Sequence, residues 1–282
     1  MQSKPQSLKS ADNIDSVVDK DSVGNKMVHN QPELKRFSLV IPAYNEENRI
    51  YSLLDKIKSE LTDFYEIIIV CDGEDKTAQL ARSIDSRFKV LEFGRRLGKG
   101  GAIMVGFEEA TGDIVGFVDA DGSITTSDIR KVFTSLSNDA PVAIGSRWVK
   151  GSSISIRQPF LRVVLGRLYH YLTFAVLGLY IKDTQCGIKA FVREKVQEIV
   201  QNIKTLNLSF DTAILYSCKK AGLDIKEVPI TWKDVPGSKV KILKTSLSMV
   251  ATLLIIRLAN SRYYSKLNNF ISDNSNLIDI DR

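Results

Sequence analysis

The sequence is short of the residue types that build most zinc and redox sites. It has 3 cysteines, Cys71, Cys186 and Cys218, all far apart. That number and spacing exclude a disulfide scaffold and fit reduced thiols. The 2 histidines, His29 and His170, are too few for a histidine-based zinc centre. No apolar run reaches the roughly 20 residues that span a bilayer. The longest uncharged stretches are Leu168 to Ile181 and Thr245 to Ile256, lengths that suit buried or interfacial helices. The first 36 residues hold no apolar core of signal-peptide length, which argues against secretion, and their polar composition reads as a disordered tail.

Acid is missing from two long stretches. Residues 140–182 carry Arg147, Lys150, Arg157, Arg162, Arg167 and Lys182 and no acid. Residues 235–272 carry Lys239, Lys241, Lys244, Arg257, Arg262 and Lys266 and again no acid, in a chain with 33 acidic residues and a net charge of only +6. Each stretch also holds one of the two apolar runs. Basic, acid-free segments around an apolar helix resemble surfaces that meet an anionic lipid interface. Basic residues set among long aliphatic helices suit a membrane better than a nucleic-acid groove, so no nucleic-acid partner is expected.

What is present is ordinary for a globular chain: 44% hydrophobic and 26% charged residues. Strand-like runs occur at 37–41, 66–71, 88–93, 114–118 and 141–144, with helical patterns at 46–61, 76–85, 100–111 and 127–137 between them. Continuous β-branched runs such as Ile67-Ile68-Ile69-Val70 suit strands buried on both faces. The alternation predicts an α/β fold, a mostly parallel sheet with helices on both faces. Long helices are expected at 158–179 and 211–221, a strand at 225–232 and an amphipathic helix at 243–264.

In such a sheet, ligands bind outside the carboxyl ends of the strands. Pro42 should end the first strand, and Asn45 should cap the helix after it; Tyr44 and Glu46 there put a ring and a carboxylate where a base and ribose could sit. Asp72 follows the second strand and could accept hydrogen bonds from a nucleoside. After the third, Gly94 to Gly101 is not a Walker A loop, but it brings Lys99 and bare N–H groups to a helix N-terminus, which suits an anion. After the fourth, Asp119-Ala120-Asp121-Gly122 sets two carboxylates at i and i+2, able to share a hard cation such as Mg2+ or Mn2+ with phosphate and water. After the fifth comes Arg147, whose guanidinium suits phosphate oxygens.

These segments, with Asp183-Thr184-Gln185-Cys186-Gly187-Ile188-Lys189-Ala190-Phe191, Phe210-Asp211, Val228-Pro229-Ile230-Thr231-Trp232 and Gly237-Ser238-Lys239, resemble the inverting family 2 glycosyltransferases with a GT-A nucleotide-sugar-binding fold. Within them the chain looks most like the dolichyl-phosphate glucose synthases, with the GDP-mannose-dependent mannose synthases as the alternative. It departs from the pattern at Cys71, where an acid is usual, and at Ser123, where the mannose enzymes often have glutamine. The resemblance implies glucose transfer from UDP-glucose to a polyisoprenyl phosphate, on the cytoplasmic face of a membrane and without a transmembrane span. It assigns nucleotide-sugar contacts to Pro42, Tyr44, Glu46, Val70, Asp72, Lys99, Asp119, Ala120, Asp121, Arg147 and Lys239, with the metal on Asp119 and Asp121. Arg147, Arg157 and Arg162 would meet the acceptor phosphate, and Asp121, Arg147 and Asp183 would surround the reacting centre. The implied layout is a tail at 1–36, a catalytic domain at 37–240 containing the interfacial helix 158–179, a C-terminal amphipathic helix at 241–268 and a tail at 269–282. A sugar nucleotidyltransferase is disfavoured, because Pro42 to Glu46 stands where that class needs a glycine- and arginine-rich phosphate loop.

Overall fold

The computed structural model describes residues 35–156, 160–203, 209–233, 235 and 242–259. Apart from Lys35 and Arg36, the expected tails fall outside these residues, as do Arg157 and Lys239, and of Arg162 only the backbone is described.

Strands and helices alternate through the first half: β1 (Phe37–Ala43), α1 (Ile50–Glu60), β2 (Glu66–Cys71), α2 (Thr77–Ile84), β3 (Phe88–Glu92), α3 (Gly98–Glu109), β4 (Ile114–Val118), α4 (Thr126–Thr134) and β5 (Val142–Ser146). Then come β6 (Ser153–Ile156), α5 (Phe160–Leu177), β7 (Ile188–Val192), α6 (Arg193–Gln201), α7 (Phe210–Lys220), β8 (Ile225–Pro229), β9 (Thr231–Lys233) and α8 (Ile242–Ala259). Seven strands form one sheet in the order β3-β2-β1-β4-β7-β5-β8. All its pairings are parallel except those of β7, which runs antiparallel between β4 and β5. The short strands β6 and β9 pair parallel in a separate ribbon.

The pleat divides the core between the two faces of the sheet. Leu39 and Ile41 of β1 join Ile50 and Leu53 of α1, Ala78 of α2 and Ile129 of α4 in one buried layer. Val40, one step out of phase, joins Ile103 of α3, Val196 of α6, Ile214 of α7 and Leu253 of α8 in the other. This is the period-2 signature of a strand covered on both sides. Gly106 lets α3 lie against β1, since a Cβ there would meet Val40 Cγ1 at 2.3 Å.

Three local expectations need correction. Pro42 does not end β1; it sits inside it, paired with Val70. Ala43 turns its carbonyl toward β2, where it accepts from Asp72 N–H at 3.3 Å. The missing N–H of Pro42 therefore faces the β4 side, where pairing has already stopped at Val40. A proline is tolerated where no ladder bond is due. Asn45 does not cap α1. It adopts φ +54°, a left-handed conformation that asparagine tolerates, and its side-chain oxygen accepts from Glu74 N–H at 2.9 Å, tying the loop after β1 to the loop after β2. The single strand expected at 225–232 is divided into β8 and β9, which join different sheets.

The helices α5 and α8 pack together. α5 exposes Leu168, Tyr171 and Phe174. α8 was expected to be amphipathic, yet its described part is apolar on both sides. Leu253 and Ile256 are buried, while Leu254, Ile255 and Leu258 face outward. Among the described residues no helix is long and apolar enough to cross a membrane.

Candidate active site

The carboxyl ends of β1, β2, β4 and β5 meet the loop that enters β7, and the polar side chains gather there. Asp119 follows β4 directly, and its N–H donates to the Gly187 carbonyl at 2.9 Å. Lys99 Nζ lies 2.8 Å from Asp119 Oδ1 and 2.7 Å from Asp211 Oδ2. Gly100 makes this reach possible: a Cβ there would meet the Phe210 side chain at 2.8 Å, so only glycine lets α3 approach the start of α7 this closely. Lys189 completes the row, with Nζ 2.5 Å from Asp211 Oδ1 and donating to the Cys186 carbonyl at 2.8 Å. Both Asp211 and Lys189 are buried.

Burial opposes the charge on Lys99, but Asp119 and Asp211 outweigh it and hold the ammonium above its ordinary range. Burial likewise opposes ionisation of Asp211, where Lys189 and Lys99 win and keep the carboxyl low. Asp119 goes the other way. Burial, with the negative charges of Asp211 and Asp121, pushes its carboxyl up against the pull of Lys99.

Asp121, two residues on, accepts from Ser123 N–H at 2.9 Å through Oδ1. It faces a cavity of about 470 Å³ also lined by Arg49, Lys56, Thr125 and Lys233. The residues here fit a hard divalent cation. Both donors are carboxylates, and the negative charges of Asp211 and Asp121, which add to burial in raising Asp119, are what a cation relieves. Among the described residues no group of three or more His, Cys, Asp and Glu could hold a metal. The pair would thus need ligand oxygens and water to complete the shell.

On the other side of β4, Arg147 leaves β5 and meets Asp183 in a two-pronged ion pair. Nε donates to Oδ2 at 2.7 Å and Nη2 to Oδ1 at 2.8 Å, and the Arg147 N–H adds a third bond to Oδ2 at 2.9 Å. Burial disfavours the Arg147 charge, but Asp183 more than offsets this and raises it. Asp183 is itself held by its N–H, which donates to Glu227 at 3.2 Å. Beside the pair is a pocket of about 60 Å³ lined by Arg147, Arg167, His170, Lys182 and Gln185, among others. The Arg167 guanidinium stacks on the Trp148 ring at 3.9 Å, a contact that fixes its direction while leaving its N–H groups for a ligand.

At the β1 and β2 ends, Asp72 is buried and faces inward. It accepts from Leu97 N–H and Gly98 N–H at 2.9 Å each, and Arg96 Nη1 reaches both its oxygens at 2.6–2.7 Å. The anion expected at the α3 N-terminus is thus this carboxylate, and α3 starts at Gly98, with φ +77°, rather than at Gly100. Arg96 also lies 3.5 Å over the Tyr44 ring. Glu46 binds Arg49 at 2.6 Å, and its N–H donates to Thr77 Oγ1.

The structure therefore brings Asp119, Asp121, Lys99, Arg147 and Asp183 to one edge of the sheet, with Tyr44, Glu46 and Asp72 at the ends of β1 and β2 alongside. Val70 and Ala120 are buried, so their side chains belong to the core layers rather than to the cleft. Sequence reasoning places Lys189 only inside a motif, Arg96 only among the basic side chains of the loop after β3, and Arg167 and Lys182 only among the charges of the acid-free stretch; His170 enters only as a residue too isolated for a zinc site. Asp211 was noticed only as part of a motif. A charged residue inside an apolar run, as in Ile188-Lys189-Ala190-Phe191, is the available signal for Lys189.

A mostly parallel sheet with one reversed strand, and a carboxylate pair at the end of its fourth strand, defines a GT-A glycosyltransferase. The model of the family "Glycosyl transferase family 2" matches residues 38–200, and the chain belongs to that family. It is 34% identical over 239 residues to "Dolichyl-phosphate beta-glucosyltransferase" of Dictyostelium discoideum, covering 78% of this chain and 73% of that one. It is 35% identical to the protein of the same name from Saccharomyces cerevisiae, covering 82% and 77%. The human protein of that name is 30% identical, covering 79% and 75%. The resemblance drawn from the motifs is borne out. Among solved structures, glucosyl-3-phosphoglycerate synthase from Mycobacterium tuberculosis, crystallised with Mn2+, uridine diphosphate and phosphoglyceric acid, has the same fold. Its TM-score is 0.61 at 21% identity, covering 79% of this chain and 78% of that one.

Proposed function

We propose that the protein moves glucose from UDP-glucose to a polyisoprenyl phosphate of the dolichyl type, with inversion, to give dolichyl β-D-glucosyl phosphate. The observation that carries this reading is a single sheet edge with a carboxylate pair on one side and a cation-lined pocket on the other. Relatives with the dolichyl-phosphate glucosyltransferase name support the choice of sugar and acceptor.

The acceptor phosphate is already anionic near neutral pH, so the reaction needs no strong base. It needs two anions brought together and charge absorbed on the departing diphosphate. Arg147 and Arg167 would clamp the acceptor phosphate in the small pocket, with Lys182 at its rim. Asp183 gives both oxygens to Arg147 and so aims the guanidinium instead of taking a proton. Tyr44 and Glu46 would hold the nucleoside, with Arg96 closing over it; Asp72, whose oxygens are taken by Arg96 and by the N–H groups of Leu97 and Gly98, would set the position of that arginine. Asp119 and Asp121 would hold Mg2+ or Mn2+, which supplies Lewis-acid stabilisation of the leaving UDP. Keeping both phosphates in register supplies the proximity contribution. Following the resemblance, Lys239 and Arg157, which lie outside the described residues, and Arg162 on α5 would add phosphate contacts.

The acceptor carries a lipid tail, and the outward apolar side chains of α5 and α8 would rest on the bilayer that holds it. The enzyme in this reading is peripheral, on the cytoplasmic face, and its partners are the nucleotide sugar, the lipid phosphate and the membrane surface. The test is transfer from radiolabelled UDP-glucose and GDP-mannose, in parallel, to a polyisoprenyl phosphate with Mg2+ or Mn2+ and with EDTA as control. Lipid-extractable label from UDP-glucose, lost in EDTA and in Asp121→Ala, is the expected result. Label from GDP-mannose alone would overturn the sugar, and full activity in EDTA would overturn the metal.

A further inference from the structure

Lys189 is an odd resident of β7. It is fully buried near the start of a strand paired on both sides, and its ammonium is balanced by Asp211, which is also buried. Such a pair is a weak source of stability, because apolar side chains of similar volume often do as well. Neither residue lines the donor or acceptor side described above. What the pair does touch is Lys99. Along one row the charges alternate: Lys189, Asp211, Lys99, Asp119, with successive contacts of 2.5, 2.7 and 2.8 Å.

We infer that Asp211 and Lys189 are positioning residues that govern how firmly Lys99 holds Asp119, and thereby set the affinity of the Asp119–Asp121 pair for its divalent cation. The inference rests on the metal reading above. One ammonium is divided between two carboxylates. If Asp211 loses its charge, Lys99 belongs to Asp119 alone and competes for an oxygen the cation needs. If Lys189 loses its charge, Asp211 has only Lys99 to balance it and draws Lys99 away from Asp119. The two changes act on metal binding with opposite sign. A role confined to holding the fold together would lower stability in both cases and shift metal affinity in neither.

The experiment is a Mn2+ titration of the full-length chain at saturating UDP, followed by the electron paramagnetic resonance signal of free Mn2+, with a thermal melt of each variant. Outer partners of metal ligands typically change affinity ten- to a hundredfold. Asp211→Asn is expected to raise the Mn2+ dissociation constant about tenfold or more, and Lys189→Met to lower it. Asp211→Asn leaves Lys189 unpaired in the sheet, so the charge-balanced double variant Asp211→Asn/Lys189→Met is the deciding one. It leaves Lys99 with Asp119 alone and is expected to bind Mn2+ as weakly as Asp211→Asn. Wild-type affinity in the double variant overturns the inference, and so does failure of that variant to fold, which would make the pair structural. If the unaltered protein binds no Mn2+, or Asp121→Asn binds it as well as the unaltered protein, the metal reading itself falls. That result is distinct from a normal metal site indifferent to Asp211.

Discussion

Gly187→Ala is the substitution that separates the geometry of the site from the stability of the fold. A Cβ at this position would lie 2.5 Å from Asp119 Oδ2 and 2.9 Å from its Cγ. Ordinary contact begins near 3.4 Å, so the carboxylate must retreat by about 0.9 Å. The side chain of Asp119 is 32% exposed, so it can swing toward the cleft and spare the backbone. Overpacking in cores costs about 1–3 kcal/mol, and relief into open space puts this case near the lower end. The functional loss is larger. A metal ligand tolerates only about 0.2 Å of misplacement, and an error near 1 Å at a reacting centre costs on the order of a hundredfold. The expected outcome is a fall in kcat/KM of about 100-fold, roughly 2.7 kcal/mol of transition-state stabilisation, with a nearly unchanged thermal midpoint. Initial rates of lipid-extractable glucose transfer at varied UDP-glucose, beside a melt, measure both. A variant within a fewfold of the unaltered rate would refute the placement of Asp119 at the reacting centre.

Other outcomes follow from the same geometry. Arg167→Gln should raise KM for the lipid phosphate about tenfold or more and leave KM for UDP-glucose alone, since a charge-assisted hydrogen bond is worth about 1.5–3 kcal/mol; an equal rise in both would remove Arg167 from the acceptor side. Ile255→Glu/Leu258→Glu places charge on outward positions of α8 and should abolish flotation with anionic liposomes without lowering the thermal midpoint; undiminished flotation would remove α8 from the membrane surface. Burial pushes the Cys71, Cys186 and Cys218 thiols up to about 12. A thiol reagent at pH 8 should therefore label the protein only after denaturant is added. Because the folded state keeps these protons where the unfolded chain, with thiols near 9, gives them up, stability from this source should be intact below about pH 9 and decline above it. A flat unfolding midpoint between pH 9 and 11 would count against that burial.

Much of the architecture was legible because buried parallel strands announce themselves. β1 to β5 and the helices between them follow from apolar runs such as Ile67 to Val70 and the spacing of the loops. β7 did not show, because Lys189 interrupts its apolar run and only its partner across space, Asp211, makes that lysine intelligible. Pro42 misled for a similar reason: whether a proline breaks a strand depends on which neighbour its nitrogen faces. Residues at strand ends were found from their place in the chain. Arg167 was visible only as one charge among six, until the fold put it on Trp148 beside Arg147.

The reversal of β7 has a topological result. β5 runs toward the site edge and ends at Ser146, and β7, pointing the other way, begins at Ile188 on that same edge. Residues 147–187, with β6 and α5 among them, thus form an excursion that departs from one edge of the sheet and returns to it. Its departure point is Arg147 and its return passes Asp183, and those two residues clasp each other at 2.7 Å. The ion pair works as a buckle: it closes the excursion, and in the proposed reading it does so with the guanidinium that would meet the acceptor. The proposed donor half, on β1, β2 and β4, lies outside that loop. On that reading, the acceptor side could be exchanged as one continuous segment while the strands proposed to hold the nucleotide stay as they are.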